Sequence, residues 1–181
     1  MSSQLVDINA DGHNDILAGS FSGVPQIIYG SKDGFKQLTA ILDRSGETVL
    51  LADFWNKKER KWDSTDRAGS EGHCTSVAAV DWDNDGDLDL VLGDYYAGRL
   101  FWRKNEGTKQ KPKFAKKNNA VKANGDPVVI EKGLSAPRIV DWDGDGLFDI
   151  LCGSSKGGVY CSEIQDRKRI QNSIKPRHSS S

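Results

Sequence analysis

Three nine-residue stretches hold the chemistry available to this sequence: DINADGHND from Asp7, DWDNDGDLD from Asp81 and DWDGDGLFD from Asp141. Twelve of the chain's 26 acidic residues lie in them. Two carboxylates about 4 Å apart repel by about 4 kcal/mol at an effective dielectric near 20, so several such pairs in one loop oppose folding. A divalent cation reverses that sign, and its binding energy then becomes folding energy. In such a loop the side chains at positions 1, 3 and 5 converge on one centre, position 7 offers its carbonyl, position 9 closes the shell, and glycine at 6 permits the sharp turn.

The candidate ligand sets are therefore Asp7, Asn9, Asp11, the His13 carbonyl and Asp15; Asp81, Asp83, Asp85, the Asp87 carbonyl and Asp89; and Asp141, Asp143, Asp145, the Leu147 carbonyl and Asp149. Every donor is a hard oxygen, which selects calcium or magnesium over zinc or copper, and several carboxylates on a flexible loop favour the larger calcium ion. Up to three Ca2+ per chain follow. The plain alternative is an Asp- and Gly-rich turn that stays hydrated, and the first loop, with Asn9 in place of a carboxylate, lies nearest to it. An EF-hand is excluded, because that motif needs a glutamate at position 12 and flanking helices. Position 12 here is Ala18, Leu92 and Cys152.

The elements that must position these loops repeat with them. LVDINADGHNDILAG, AVDWDNDGDLDLVLG and IVDWDGDGLFDILCG superimpose without a gap, and their first aspartates lie 74 and 60 residues apart. A period near sixty residues suggests propeller blades or a similar array. FKQLTAILDRSGETVLL from Phe35 aligns to FAKKNNAVKANGDPVVI from Phe114, again without a gap, so the first two units repeat along most of their length. Short apolar pieces precede each loop (QLV, SVAAV, PRIV) and follow it (DILAG, DLVLG, DILCG). A third comes after a glycine turn (PQIIYG, GRLFWR, GGVYCS). Their length, β-branched and aromatic content and Gly, Asn and Asp boundaries predict strands. A fourth is expected at TVLLA and PVVIE, which makes the chain all-β, with three four-stranded antiparallel units. The expected boundaries are 1–72 for the first unit, with a surface loop inserted at 52–73, then 73–134 and 135–165 (a partial unit), and a disordered basic tail at 166–181.

A DxDxDGxxD loop between two short strands, followed by a GRLFW- or GGVY-like strand, resembles the FG-GAP/VCBS repeats of calcium-dependent β-propellers, related to the integrin α-chain propeller. SAPRIVDWDGDGLFDILCG and DLVLGDYYAGRLFWRKNEGT are especially similar to the VCBS type. The resemblance implies four-stranded blades whose first hairpin carries the calcium loop, in a propeller of about seven blades. Three units then imply a piece of a longer propeller, with self-association that completes a ring as the other reading; either way, further blades or a second copy would cover the open blade faces. It also implies an extracellular or cell-surface location and a scaffold that binds a protein or glycan ligand. Part of a propeller-type enzyme, such as a polysaccharide lyase or a hydrolase-associated propeller, is the alternative.

Composition narrows the remaining classes. Residues 1–165 carry 20 basic against 25 acidic residues, a balance that argues against nucleic acid as a partner. No apolar run is long enough for a membrane span. Cys74, Cys152 and Cys161 lack a CxxC spacing; Cys152 and Cys161 either face each other across a hairpin or are single buried thiols. His13, His73 and His178 are scattered, and neither G-x-S-x-G nor H-E-x-x-H occurs. With the clustered carboxylates assigned as ligands, no pair is left for acid and base work. Most aromatic residues, including Trp82, Trp142, Tyr95, Tyr96, Phe101, Trp102 and Tyr160, are expected to pack between blades, with a sugar-stacking surface as the minor reading.

Overall fold

A computed structural model describes residues 2–51, 54–56, 61–63, 75–94, 98–123, 126–130, 136–144, 148–153, 159–164 and 174–177. All regular structure among them is β. The first unit forms β1 (Ser3–Val6), β2 (Asp15–Ala18), β3 (Gln26–Ile28) and β4 (Thr39–Ala40), followed by a hairpin of β5 (Phe54–Asn56) and β6 (Lys61–Asp63). The second forms β7 (Thr75–Val80), β8 (Asp89–Asp94), β9 (Leu100–Arg103) and β10 (Asn119–Ala120), followed by β11 (Lys122–Ala123) and β12 (Asp126–Pro127). The third forms β13 (Pro137–Val140), β14 (Asp149–Gly153), β15 (Val159–Ile164) and β16 (Ile174–Arg177). Each unit is thus a four-stranded antiparallel meander, a propeller-like blade.

The three sheets share one register. The residue before each acidic loop pairs with the aspartate that ends it: Val6 with Asp15, Val80 with Asp89 and Val140 with Asp149. Because side chains alternate across a strand, this register sends successive residues of β7 and β8 to opposite neighbours. Val77, Ala79, Leu90, Leu92 and Phe101 pack with Ile8, Leu17 and Ile27 of the first unit. Val80, Trp82, Val91 and Leu100 pack with Ile150 of the third, with Ile139 and Phe148 at the margin. The middle sheet is buried on both faces, which is why all six residues of β7 and all six of β8 are buried.

The outer sheets each leave one face open. Trp82 is 2% exposed, whereas Trp142, its equivalent in the third loop, is 69% exposed. Leu100 and Val159, both one strand further on at equivalent register positions, are 1% and 73% exposed. On the opposite end, Leu5 of β1 is 64% exposed. These are the same two faces that pair inside the chain, each without its counterpart.

Polar groups tie the first strands together. The Gln4 amide group donates to Ala79 O at 3.1 Å and accepts from Ala79 N at 2.7 Å, so a side chain satisfies the unpaired edge of β7. Arg138 on β13 donates to Ser3 O at 2.8 Å. Further out, the buried Arg103 donates to Leu50 O at 2.9 Å and Asn118 Oδ1 at 2.6 Å, while Asn118 Nδ2 donates to Leu50 O at 2.8 Å. Burial pushes the Arg103 guanidinium down to about 10.

Several elements differ from the sequence reading. The fourth strands are Thr39–Ala40 and Asn119–Ala120, upstream of TVLLA and PVVIE. Val49 and Leu51 are apolar because they enter the core on the return of a hairpin closed by Val49 N to Ile41 O at 2.8 Å. The gapless alignment of the two units also slips by one residue. It does so only at the fourth strand, where Thr39 pairs with Ile27 as Asn119 pairs with Trp102. On the near side Lys36 N donates to Tyr29 O as Ala115 N donates to Lys104 O, which keeps Phe35 the counterpart of Phe114, although the two differ in burial, 59% against 5% exposed. The inserted segment 52–73 contains the β5–β6 pairing rather than only a loop.

The tail expected to be disordered supplies β16, which completes the third sheet and makes that unit four-stranded rather than partial. β16 pairs the edge that β15 would otherwise leave open, and on this outermost strand Pro176 can lack its donor on the solvent side. Cys161 stands opposite Leu151, and Cys152 opposite Tyr160, so the two cysteines are not cross-strand partners. Cys152 is a buried free thiol, with its pKa pushed up to about 11 by burial. Cys74, His73, His178, Tyr95 and Tyr96 lie outside the described residues.

The asymmetry of the two tryptophans sets a direct comparison. Trp82→Ala should lower stability by about 3–5 kcal/mol in urea denaturation, because it empties the contact between two blades. Trp142→Ala in dilute protein should change it by no more than about 0.5 kcal/mol.

Candidate metal centre

Each acidic loop is held by its own backbone before any ligand is considered. In the first, Asp7 accepts from Asp11 N at 3.0 Å and Gly12 N at 2.9 Å; in the second, Asp81 accepts from Asp85 N at 3.0 Å and Gly86 N at 3.1 Å. In the third, Asp141 accepts from Gly144 N at 2.8 Å. Position 5 caps the next turn, Asp11 accepting from His13 N at 2.9 Å and Asp85 from Asp87 N at 3.2 Å. The His13 amide holds the Asp11 carboxyl below its ordinary range.

The tight curl needs left-handed backbone twice. Gly12 and Gly86 at position 6 have φ of 88° and 96°, as their residue type suggests. Position 4 is also left-handed, at Ala10 (φ 50°), Asn84 (φ 60°) and Gly144 (φ 76°), a requirement that the sequence pattern does not display because three residue types meet it.

Position 9 serves as a clamp. Asp15 accepts from Ile8 N at 3.1 Å and from Gly30 N at 2.8 Å; Asp89 accepts from Trp82 N at 3.2 Å and from Asn105 N at 2.6 Å. Asp149 accepts from Trp142 N at 2.8 Å. These three carboxylates are almost fully buried. Burial pushes Asp15 up, and burial together with Asp83, Asp85 and Asp87 pushes Asp89 up to about 7 against the pull of the Asn105 amide.

Carboxylates also gather in two of the loops. Carboxylate oxygens of Asp81, Asp83 and Asp85 lie within 4.8 Å of one another, and so do those of Asp141, Asp143 and Asp149. These two clusters can hold a metal ion. In the second loop two carboxylate oxygens, Asp83 Oδ1 and Asp87 Oδ1, are screened from solvent with no hydrogen-bond donor. Leaving such oxygens unpaired is costly, and a cation is the partner their chemistry fits. Burial, then Asp85, pushes the Asp87 carboxyl up.

In the first loop Asn9 Nδ2 donates to Asp11 Oδ2 at 3.1 Å, so an amide already occupies one of the carboxylate oxygens. Asp7, Asn9 and Asp11 lie together at the exposed tip, while Asp15 is drawn inward. Asp145 and Leu147 lie outside the described residues. Lys104 is a participant that the motif does not reveal. Its Nζ donates to Asp85 Oδ2 at 2.8 Å and closely to Asp83 Oδ2, which raises the lysine pKa and holds Asp85 low.

With this geometry in view, a family model described as an FG-GAP-like repeat matches residues 7–92 and again residues 81–152. The chain belongs to the FG-GAP-like repeat family. Each FG-GAP-like match opens on the first aspartate of one loop and ends at equivalent residues, Leu92 and Cys152, in the strand that leaves the next. Comparison with curated proteins and with solved structures gives no match. FG-GAP-like repeats are typical of extracellular proteins and generally non-catalytic. No helix among the described residues is long and apolar enough to cross a membrane.

Two substitutions separate clamp from curl. With chelator present, Asp89→Ala should cost about 3 kcal/mol, since two buried amides lose their acceptor, while Asp89→Asn retains an acceptor oxygen and costs less. Ala10→Gly should raise the unfolding free energy by about 0.5–1 kcal/mol by relieving the left-handed strain. Urea titrations of the purified chain measure both.

Proposed function

We propose that this chain is a calcium-binding β-propeller repeat module that acts as a structural scaffold for protein or glycan interaction. The observation that carries the reading is the pair of aspartate clusters on identical hairpins, with buried, donor-less oxygens in the second. Backbone donors fix the loop carboxylates in place while oxygens of Asp81, Asp83 and Asp85, and of Asp141, Asp143 and Asp149, stay close together, which suits a hard cation rather than acid–base chemistry. Calcium supplies the charge neutralisation that the clustered carboxylates lack. The residues themselves set the size of the cage and pin the first strand of each blade to the second.

The open faces fit the scaffold role. Trp142 and Val159 on one end and Leu5 on the other present the two halves of the interface already formed twice within the chain. Further blades of a propeller of about seven, or a second copy, would cover them, and the loops at the rim would then be free to meet a ligand. A place outside the cell or at its surface accords with a loop of modest calcium affinity, on the order of 10⁻⁴ to 10⁻³ M.

Calcium at a hundredfold excess over its dissociation constant should add about 2.7 kcal/mol per occupied site. Differential scanning calorimetry should therefore show a higher Tm in calcium than in EDTA, a smaller rise with magnesium, and a reduced calcium effect in Asp81→Asn and Asp143→Asn. An identical melting curve in calcium and EDTA, with no heat on titration, would overturn the calcium assignment.

A further inference from the structure

The second loop carries the most acid of the three, five aspartates in nine residues, and a cation of the chain is placed against it. The Lys104 ammonium bridges Asp83 and Asp85, the side chains at positions 3 and 5. These are two of the three members of the cluster that can hold a metal. Its stem leaves the end of β9 at a fixed point, because Lys104 O accepts from Ala115 N at 2.7 Å and the next amide, Asn105 N, is held by Asp89.

The same fold position differs in each unit. Leu90 pairs with Arg103 as Ile16 pairs with Ile28, so Lys104 stands across from Asp89 as Tyr29 stands across from Asp15. In the third unit the residue across from Asp149 is Glu163. The residue types at this register position are thus tyrosine, lysine and glutamate.

A calcium ion sits 2.3–2.6 Å from its oxygen ligands, so an ion sharing Asp83 and Asp85 with Lys104 would lie within a few ångströms of the ammonium. At that distance like charges repel strongly even at an effective dielectric near 20. Resting on the calcium reading, we propose that Lys104 is a tethered cation that competes with calcium for the second loop. The loop then stays folded without the ion and fills at higher calcium than it would without the lysine.

Residue-resolved binding tests this. The amides of Gly12, Gly86 and Gly144 report on the three loops separately in 15N NMR, titrated with calcium chloride for the full chain, for Lys104→Met and for Lys104→Arg. In Lys104→Met the Gly86 midpoint should fall by on the order of tenfold or more, with the Gly12 and Gly144 midpoints unchanged. Lys104→Arg should behave as the unaltered chain. Lys104→Met should also melt lower in EDTA and recover in millimolar calcium. A Gly86 midpoint that stays put or rises, an equal loss of Tm in EDTA and in calcium, or failure to fold in both would overturn the competition. If none of the three amides responds in any of the chains, the calcium reading itself fails instead.

Discussion

One buried carboxylate per unit holds this architecture together. The aspartate at the end of each acidic loop takes hydrogen bonds from the second amide of its own loop, and in the first two units also from the amide that follows the third strand. Three separate pieces of chain are joined at one side chain. The group sits inside a loop already crowded with negative charge, so the fold places a buried anion where its neighbours most disfavour one. That conflict is what gives cations their leverage here, whether the cation is a bound ion or the lysine that the second unit carries.

The second consequence of the clamp is directional packing. By receiving the amide of position 2, the aspartate fixes the backbone from which the position-2 side chain projects, and that side chain meets the following blade. Ile8 and Trp82 are buried in this way, with Trp82 also stacked on Trp102 at a centroid distance of 6.4 Å. Trp142 repeats the arrangement without a following blade to receive it. A repeat protein is stabilised by such neighbour contacts in sequence, so its ends inherit the same apolar faces that its middle conceals.

The parts legible in the sequence were those written as repeated local patterns. The three loops, the strands on either side and the glycine at position 6 follow from residue types that must lie next to one another along the chain. What escaped depended on partners distant in sequence or on tolerance of several residue types. Lys104 lies nineteen residues from Asp85 and reaches it only because β9 returns alongside β8. The left-handed position 4 is filled by Ala, Asn and Gly, which share no visible signature. TVLLA reads as a strand because it is apolar, yet Val49 and Leu51 serve the core while a less apolar pair, Thr39–Ala40, makes the ladder.

Local sequence alone determined that this chain builds β hairpins around oxygen-rich turns, three times over, because alternation, turn residues and charge density act over a few neighbouring residues. Tertiary structure decided which aspartate became a clamp, which tryptophan was covered, how the basic tail was used and where a lysine met the acid. Each of those depends on which strands lie side by side, and burial and electrostatics act through space between groups that the chain itself keeps far apart.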